Sequence, residues 1–180
     1  RGIVELEQYQ VAPDPSVGFL IDGIDFIGVG MPATSFDVEQ VEVLRGPQGA
    51  RYGANALAGL INVLTRDPRP ESECATELTA GDDGLLAAGV IAGGPIGGAG
   101  TRPAAWRIAA QQASSDGFRH NRYLDRDDTN ERDELTVRAK LALQPAAGWD
   151  LWLTVLHADL DNGFDVFVPD NSFDTRSDRP

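Results

Sequence analysis

Beyond Pro68 the chain reads in steps of two. The clearest run is ELTVRAKLALQ, in which Leu135, Val137, Ala139, Leu141 and Leu143 alternate with Thr136, Arg138, Lys140, Ala142 and Gln144. A repeat of two sends successive side chains to opposite faces of a strand, whereas a helix needs apolar positions every three or four residues. Trp106, Ile108 and Ala110 alternate in the same way with Arg107, Ala109 and Gln111. So do Trp149, Leu151, Leu153 and Val155 with Asp150, Trp152 and Thr154. Weaker alternations, rich in small residues, cover 75–80 and 85–93. The spacing predicts about five antiparallel strands. One apolar and one polar face over about ten residues suits a transmembrane barrel strand with its apolar side in lipid. It suits a half-buried strand of a soluble sandwich as well.

The connections alternate in length. Residues 81–84 form a short loop, 94–103 a Gly/Pro-rich turn, and 114–130 a long charged loop. Residues 145–148 are short again, and the run after Asp159 is long and polar. Short turns at one end and long loops at the other fit an outer-membrane barrel whose first strand starts at the periplasmic end. Trp106 and Trp149 stand at strand starts, where an aromatic girdle would lie at the membrane interface. Leu135, Val137, Leu141 and Leu143 are expected to face lipid, and Arg138 and Lys140 the lumen.

The stretch before Pro68 has a different texture. Residues 17–26, VGFLIDGIDF, read as a hairpin around Asp22-Gly23, a strong two-residue turn signal. Residues 31–40 form a link in which 37–40 are expected to open a short helix. Residues 41–68, VEVLRGPQGARYGANALAGLINVLTRDP, begin with Val41, Val43 and Leu44 grouped on one side and break at Gly46-Pro47. A short helical turn is expected over 55–60, and then a β-rich run of Leu60, Ile61, Val63 and Leu64. A phosphate loop would need GxxxxGK[ST], but the single lysine is Lys140. The glycine spacing does not fit a dinucleotide fingerprint either.

The same string closely resembles the end of the plug domain of TonB-dependent outer-membrane receptors. The resemblance rests on residues 42–47 (EVLRGP), Tyr52-Gly53, Asn55-Ala56, Gly59, Ile61-Asn62 and Thr65. A DG hairpin preceding the Arg-Gly-Pro element also agrees with the family. The resemblance implies an α+β plug, residues 1–68, followed by antiparallel transmembrane β-barrel strands, residues 69–180. In the family the complete barrel has about 22 strands, wide enough to leak unless plugged. By implication the protein lies in the outer membrane of a Gram-negative bacterium. It would take up a scarce bulky solute, such as a ferric siderophore, driven by TonB and its inner-membrane complex. Its partners would be TonB, an unidentified external ligand and outer-membrane lipid, with no cofactor and no catalytic role. Gly46, Pro47, Tyr52, Gly53, Asn55, Gly59 and Asn62 carry the plug motif. Arg45 corresponds to the family's arginine that pairs with barrel glutamates and locks the plug in place.

The remaining observations bound these readings. A net charge of -13 over 180 residues argues against a nucleic-acid partner, and the charge is spread over both halves. Cys74 is the only cysteine, so no internal disulfide forms. No apolar run reaches the length of a membrane helix. No signal peptide is present, and the chain starts at Arg1-Gly2 without Met, as expected of an internal piece of a longer precursor. There is no GxSxG, and neither His120 nor His157 lies in a nucleophile motif. In residues 159–163, DLDNG, the glycine comes one place too early for a calcium-binding hand. Asp125, Asp127 and Asp128 would at most bind a cation loosely, and no metal site is expected. Two other classes stay open: a soluble α+β binding or interaction module sharing only the Gly-rich string, and an enzyme.

Overall fold

The computed structural model describes residues 17–26, 36–49, 58–97, 103–118, 120–121, 125–163 and 176–177. Its contacts divide the chain into two units, residues 1–66 and 67–180. The elements that the described residues complete are all strands, and Gly49 alone among them is helical. No described helix is long and apolar enough to cross a membrane.

The first unit is a four-stranded sheet in the order β2-β1-β4-β3. Strands β1 (Val17–Ile21) and β2 (Ile24–Asp25) form the expected hairpin. Asp22 and Gly23 both have positive φ, 50° and 78°, as a tight turn matching the twist of its strands requires. Strand β4 (Gly59–Thr65) runs parallel to β1 and antiparallel to β3 (Val38–Arg45). A central strand has neighbours on both edges and packs on both faces, and the apolar run GLINVLT suits that position. Leu20 and Leu60 make the core, with Leu44 packed against them.

Three local expectations need correction. Residues 38–40 open no helix but lie in β3, bonded to β4 with an irregularity between Val38 and Gln40. Asp37, at φ 58°, turns the chain into that strand, and its carbonyl accepts from Arg66 N at 3.2 Å. Gly59 and Leu60 belong to β4 rather than to a helical turn, while 55–57 lie outside the described residues. Leu44 does not share a side with Val41 and Val43. They are exposed, whereas Leu44 turns to the Leu20–Leu60 core, since strand alternation opposes neighbours.

The second unit is an antiparallel sheet of five strands in the order β10-β9-β7-β6-β5. These are β5 (Glu73–Ala80), β6 (Leu86–Pro95), β7 (Ala104–Ser115), β9 (Arg132–Ala146) and β10 (Trp149–Asn162). The short β8 (His120–Asn121), within the β7–β9 connection, pairs in parallel with β11 (Arg176–Ser177). The turns after β6 and β9 emerge at the end where β5 begins; the β7–β9 connection and the exit of β10 lie at the opposite end. Trp106 and Trp149 both lie at the first of these ends.

Candidate functional site

Arg45, Gly46 and Gly59 meet at one end of the first sheet. Arg45 closes β3 opposite Gly59, and the Gly46 amide donates to the Ala58 carbonyl at 3.1 Å. A Cβ on Gly59 would stand 2.6 Å from the Leu44 carbonyl oxygen, so only glycine fits this approach. Gly46 turns the chain at φ 89°, and Pro47 follows it. The Arg45 side chain is exposed at the end of the strand.

Asn62 is buried further along β4, beneath the hairpin. Its amide donates to Glu42 Oε2 at 3.1 Å, and its carbonyl oxygen accepts from Gly23 N at 3.4 Å. Beside it the Asp22 carboxylate accepts from Thr65 N at 2.8 Å and Thr65 Oγ1 at 2.6 Å. The motif asparagine thus ties hairpin, central strand and edge strand together. Tyr52, Gly53 and Asn55 lie outside the described residues.

In the second unit cross-strand pairs share a face, and the two faces differ sharply. Arg107 opposes Lys140, Ala109 opposes Arg138, and Gln111 opposes Thr136. On this face Arg107 is 4%, Arg138 6% and Lys140 7% exposed, and Ala105, Ala109 and Thr136 are buried too. Arg107 pairs with Glu73, and Lys140 Nζ lies 3.0 Å from Asp67 Oδ1. The other face carries Val90, Ile108, Leu151, Leu153 and Val155, all exposed, with Val155 at 55% and Trp149 at 70%. Leu135, Val137, Leu141 and Leu143 fall on this apolar side, opposite Arg138 and Lys140. Burying charge and exposing aliphatic surface is the reverse of what water selects, and it is the arrangement of a strand whose outer side meets lipid.

The loop acids are engaged with basic side chains. His120 Nδ1 lies 2.6 Å from Asp127 Oδ1, and its Nε2 is 3.7 Å from Asp125 Oδ1. Arg126 grips Asp128 through two bonds of 2.8 Å. That hydrogen bond holds the Asp128 carboxyl below its ordinary pKa and raises that of Arg126. Among the described residues no group of His, Cys, Asp or Glu is arranged to hold a metal ion. His157 stands on the apolar side of β10, opposite Val137.

The sequence reading missed Glu73, Asp67, Asp22 and Glu42 as partners. A signal for the first two was present: two cations facing the same side of a wall need carboxylates, and the upstream stretch 67–73 supplies them.

The family described as the TonB-dependent receptor plug domain matches residues 1–60. The catecholate siderophore receptor Fiu of Escherichia coli K12 is 42% identical over 64 residues, 36% of this chain and 8% of the relative. The pesticin receptor of Yersinia pestis is 35% identical over 68 residues, 38% of this chain and 10% of the relative. The crystal structure of the E. coli ferric-catecholate import receptor Fiu in its open form superimposes with a TM-score of 0.69. It does so at 27% identity, over 84% of this chain and 21% of that one. Residues 1–60 carry the plug domain of TonB-dependent receptors, and the proteins this chain resembles in sequence and in fold are TonB-dependent receptors. Such receptors are outer-membrane proteins of Gram-negative bacteria and transporters rather than enzymes. The fold is that of a plug followed by the first strands of a TonB-dependent receptor's barrel, and the stretch matched in sequence spans about a tenth of the length of the curated relatives.

Proposed function

We propose that this chain belongs to a receptor that takes up a scarce, bulky solute of the ferric-siderophore class across the outer membrane, driven by TonB. Residues 1–68 would be the C-terminal portion of its plug, and residues 69–180 the start of its barrel. The observation that carries the reading is the reversed sheet, with Arg107, Arg138 and Lys140 buried and Leu151, Leu153 and Val155 exposed. A wall of this kind suits a lumen lined with polar groups. The relative named as a catecholate siderophore receptor supports the ligand class. Arg45, at the exposed end of β3, is proposed to pair with a barrel carboxylate and hold the plug in its resting position. A guanidinium can grip a carboxylate with two parallel bonds, which fixes orientation as well as charge.

The test is uptake by cells making the full-length receptor, with and without working TonB. Radiolabelled ferric catecholate, ferric hydroxamate and cobalamin are offered in turn. TonB-dependent accumulation of one of the two iron chelates is the expected outcome. Accumulation of cobalamin alone would overturn the ligand class, and accumulation independent of TonB would overturn the mechanism.

A further inference from the structure

Arg107 and Lys140 are direct cross-strand partners on the buried face of the second unit. Two like charges placed opposite each other weaken a sheet, and burial raises the cost because water no longer screens them. Both find their carboxylates in one short stretch, the seven residues that precede and start β5. Glu73 answers Arg107, and Asp67 answers Lys140 at 3.0 Å.

The first pair is not between neighbouring strands. Glu73 is on β5 and Arg107 on β7, with Gly93 of β6 between them in the same row. A Cβ on Gly93 would lie 3.3 Å from Glu73 Oε1 and 3.0 Å from the Trp106 carbonyl oxygen. The missing side chain leaves the guanidinium a path across β6. Between the two acids Pro68 is itself buried while residues 69–72 are exposed, so the stretch is held at Pro68 as well as at its two charged ends.

We propose that Arg107 and Lys140 form a two-cation socket that clips residues 67–73 onto the polar wall. They are positioning residues, and they fix the point from which the chain leaves the first unit for the barrel. The consequence rests on the barrel reading: tension arriving through residue 66 is taken by β7 and β9 and does not peel β5 away from β6. An antiparallel ladder pulled from an end opens pair by pair, and β5 begins at that end.

The test uses the full-length receptor in detergent, with Cys74→Ser as background and a nitroxide on Glu71→Cys. The electron-spin-resonance line shape reports local motion, and migration on unheated gels reports an assembled barrel. The socket predicts a restrained label in the parent. Lys140→Ala and Asp67→Asn should each raise the ratio of mobile to restrained label about tenfold, in line with loss of one charge-assisted hydrogen bond. Asp67→Lys should behave like Asp67→Asn, and the exchange Asp67→Lys with Lys140→Asp should restore restraint. Should Lys140→Ala fail to assemble, Asp67→Asn carries the test, because Asp67 is 58% exposed. Unchanged line shapes in assembled single variants, or an exchange no better than Asp67→Lys alone, would overturn the socket. Neither readout involves iron, so a failure here is distinct from a failure of the uptake reading.

Discussion

In the sheet of the first unit Leu20 and Leu60 are buried while Glu39 and Gln40 face out. In the sheet of the second Arg107, Arg138 and Lys140 are buried while Leu151, Leu153 and Val155 face out. The same alternation of apolar and polar residues underlies both, and the same force acts on both. Apolar groups leave water wherever they can. In the first unit Leu20, Leu44 and Leu60 leave it by meeting one another, although Val41 and Val43 stay exposed on the edge strand, whereas in the second the exit is outward, to a surface that is not water. The backbone follows: every strand of the second sheet is bonded to its neighbours along nearly its whole length, as a chain crossing lipid requires. What differs is the solvent each sheet was built for.

The largest effect expected is on the first sheet. Leu60 is 1% exposed, so Leu60→Ala should cost about 2–5 kcal/mol in that unit. Hydrogen exchange on the full-length receptor should show β1, β3 and β4 losing protection while β7 and β9 keep theirs. Equal loss in both sheets would mean that the two do not stabilise independently.

The second sheet can be probed with one pair of adjacent residues. Val155→Arg puts a charge on the outer face near the middle of the apolar band, at a cost of about 2–4 kcal/mol. Thr154→Glu puts one on the inner face, opposite Lys140, and should be tolerated. The measurement is the fraction of heat-modifiable, assembled barrel. If Thr154→Glu fails as badly as Val155→Arg, the two faces have been assigned wrongly.

Gly59→Ala should fall below these, at about 1–3 kcal/mol, since a methyl 2.6 Å from the Leu44 carbonyl forces β3 and β4 apart. Loss of protection confined to β3 and β4 is the expected signature; a shift spread over all strands would contradict it. Arg45→Ala should change stability least, because the side chain is exposed. Its expected effect is functional: normal amounts in the outer membrane, with easier entry of large antibiotics or poorer uptake. Arg45→Lys should give only an incomplete rescue, because lysine keeps the charge and loses the fork. Normal permeability and uptake in Arg45→Ala would reduce this arginine to a turn residue.

Much of this was legible in the residue order because the interactions responsible are local. The alternation 135–143 placed Arg138 and Lys140 opposite Leu141 and Leu143, and Asp22-Gly23 marked its own turn. Strand period and turn geometry depend on neighbours one to three residues away, so sequence by itself determines them. The tertiary structure alone decided what joins residues far apart. The parallel pairing of β1 with β4 spans about forty residues, and only that sheet's core set Leu44 against its neighbours Val43 and Arg45. It drew residues 38–40 into a strand, because pairing with β4 outweighs a weak local preference for helix. The need of Arg107 and Lys140 for carboxylates was legible, but which acid answers which cation was decided by the fold. Glu73 and Asp67 lie 34 and 73 residues away along the chain, and only the strand register and a glycine in the row between bring those charges together.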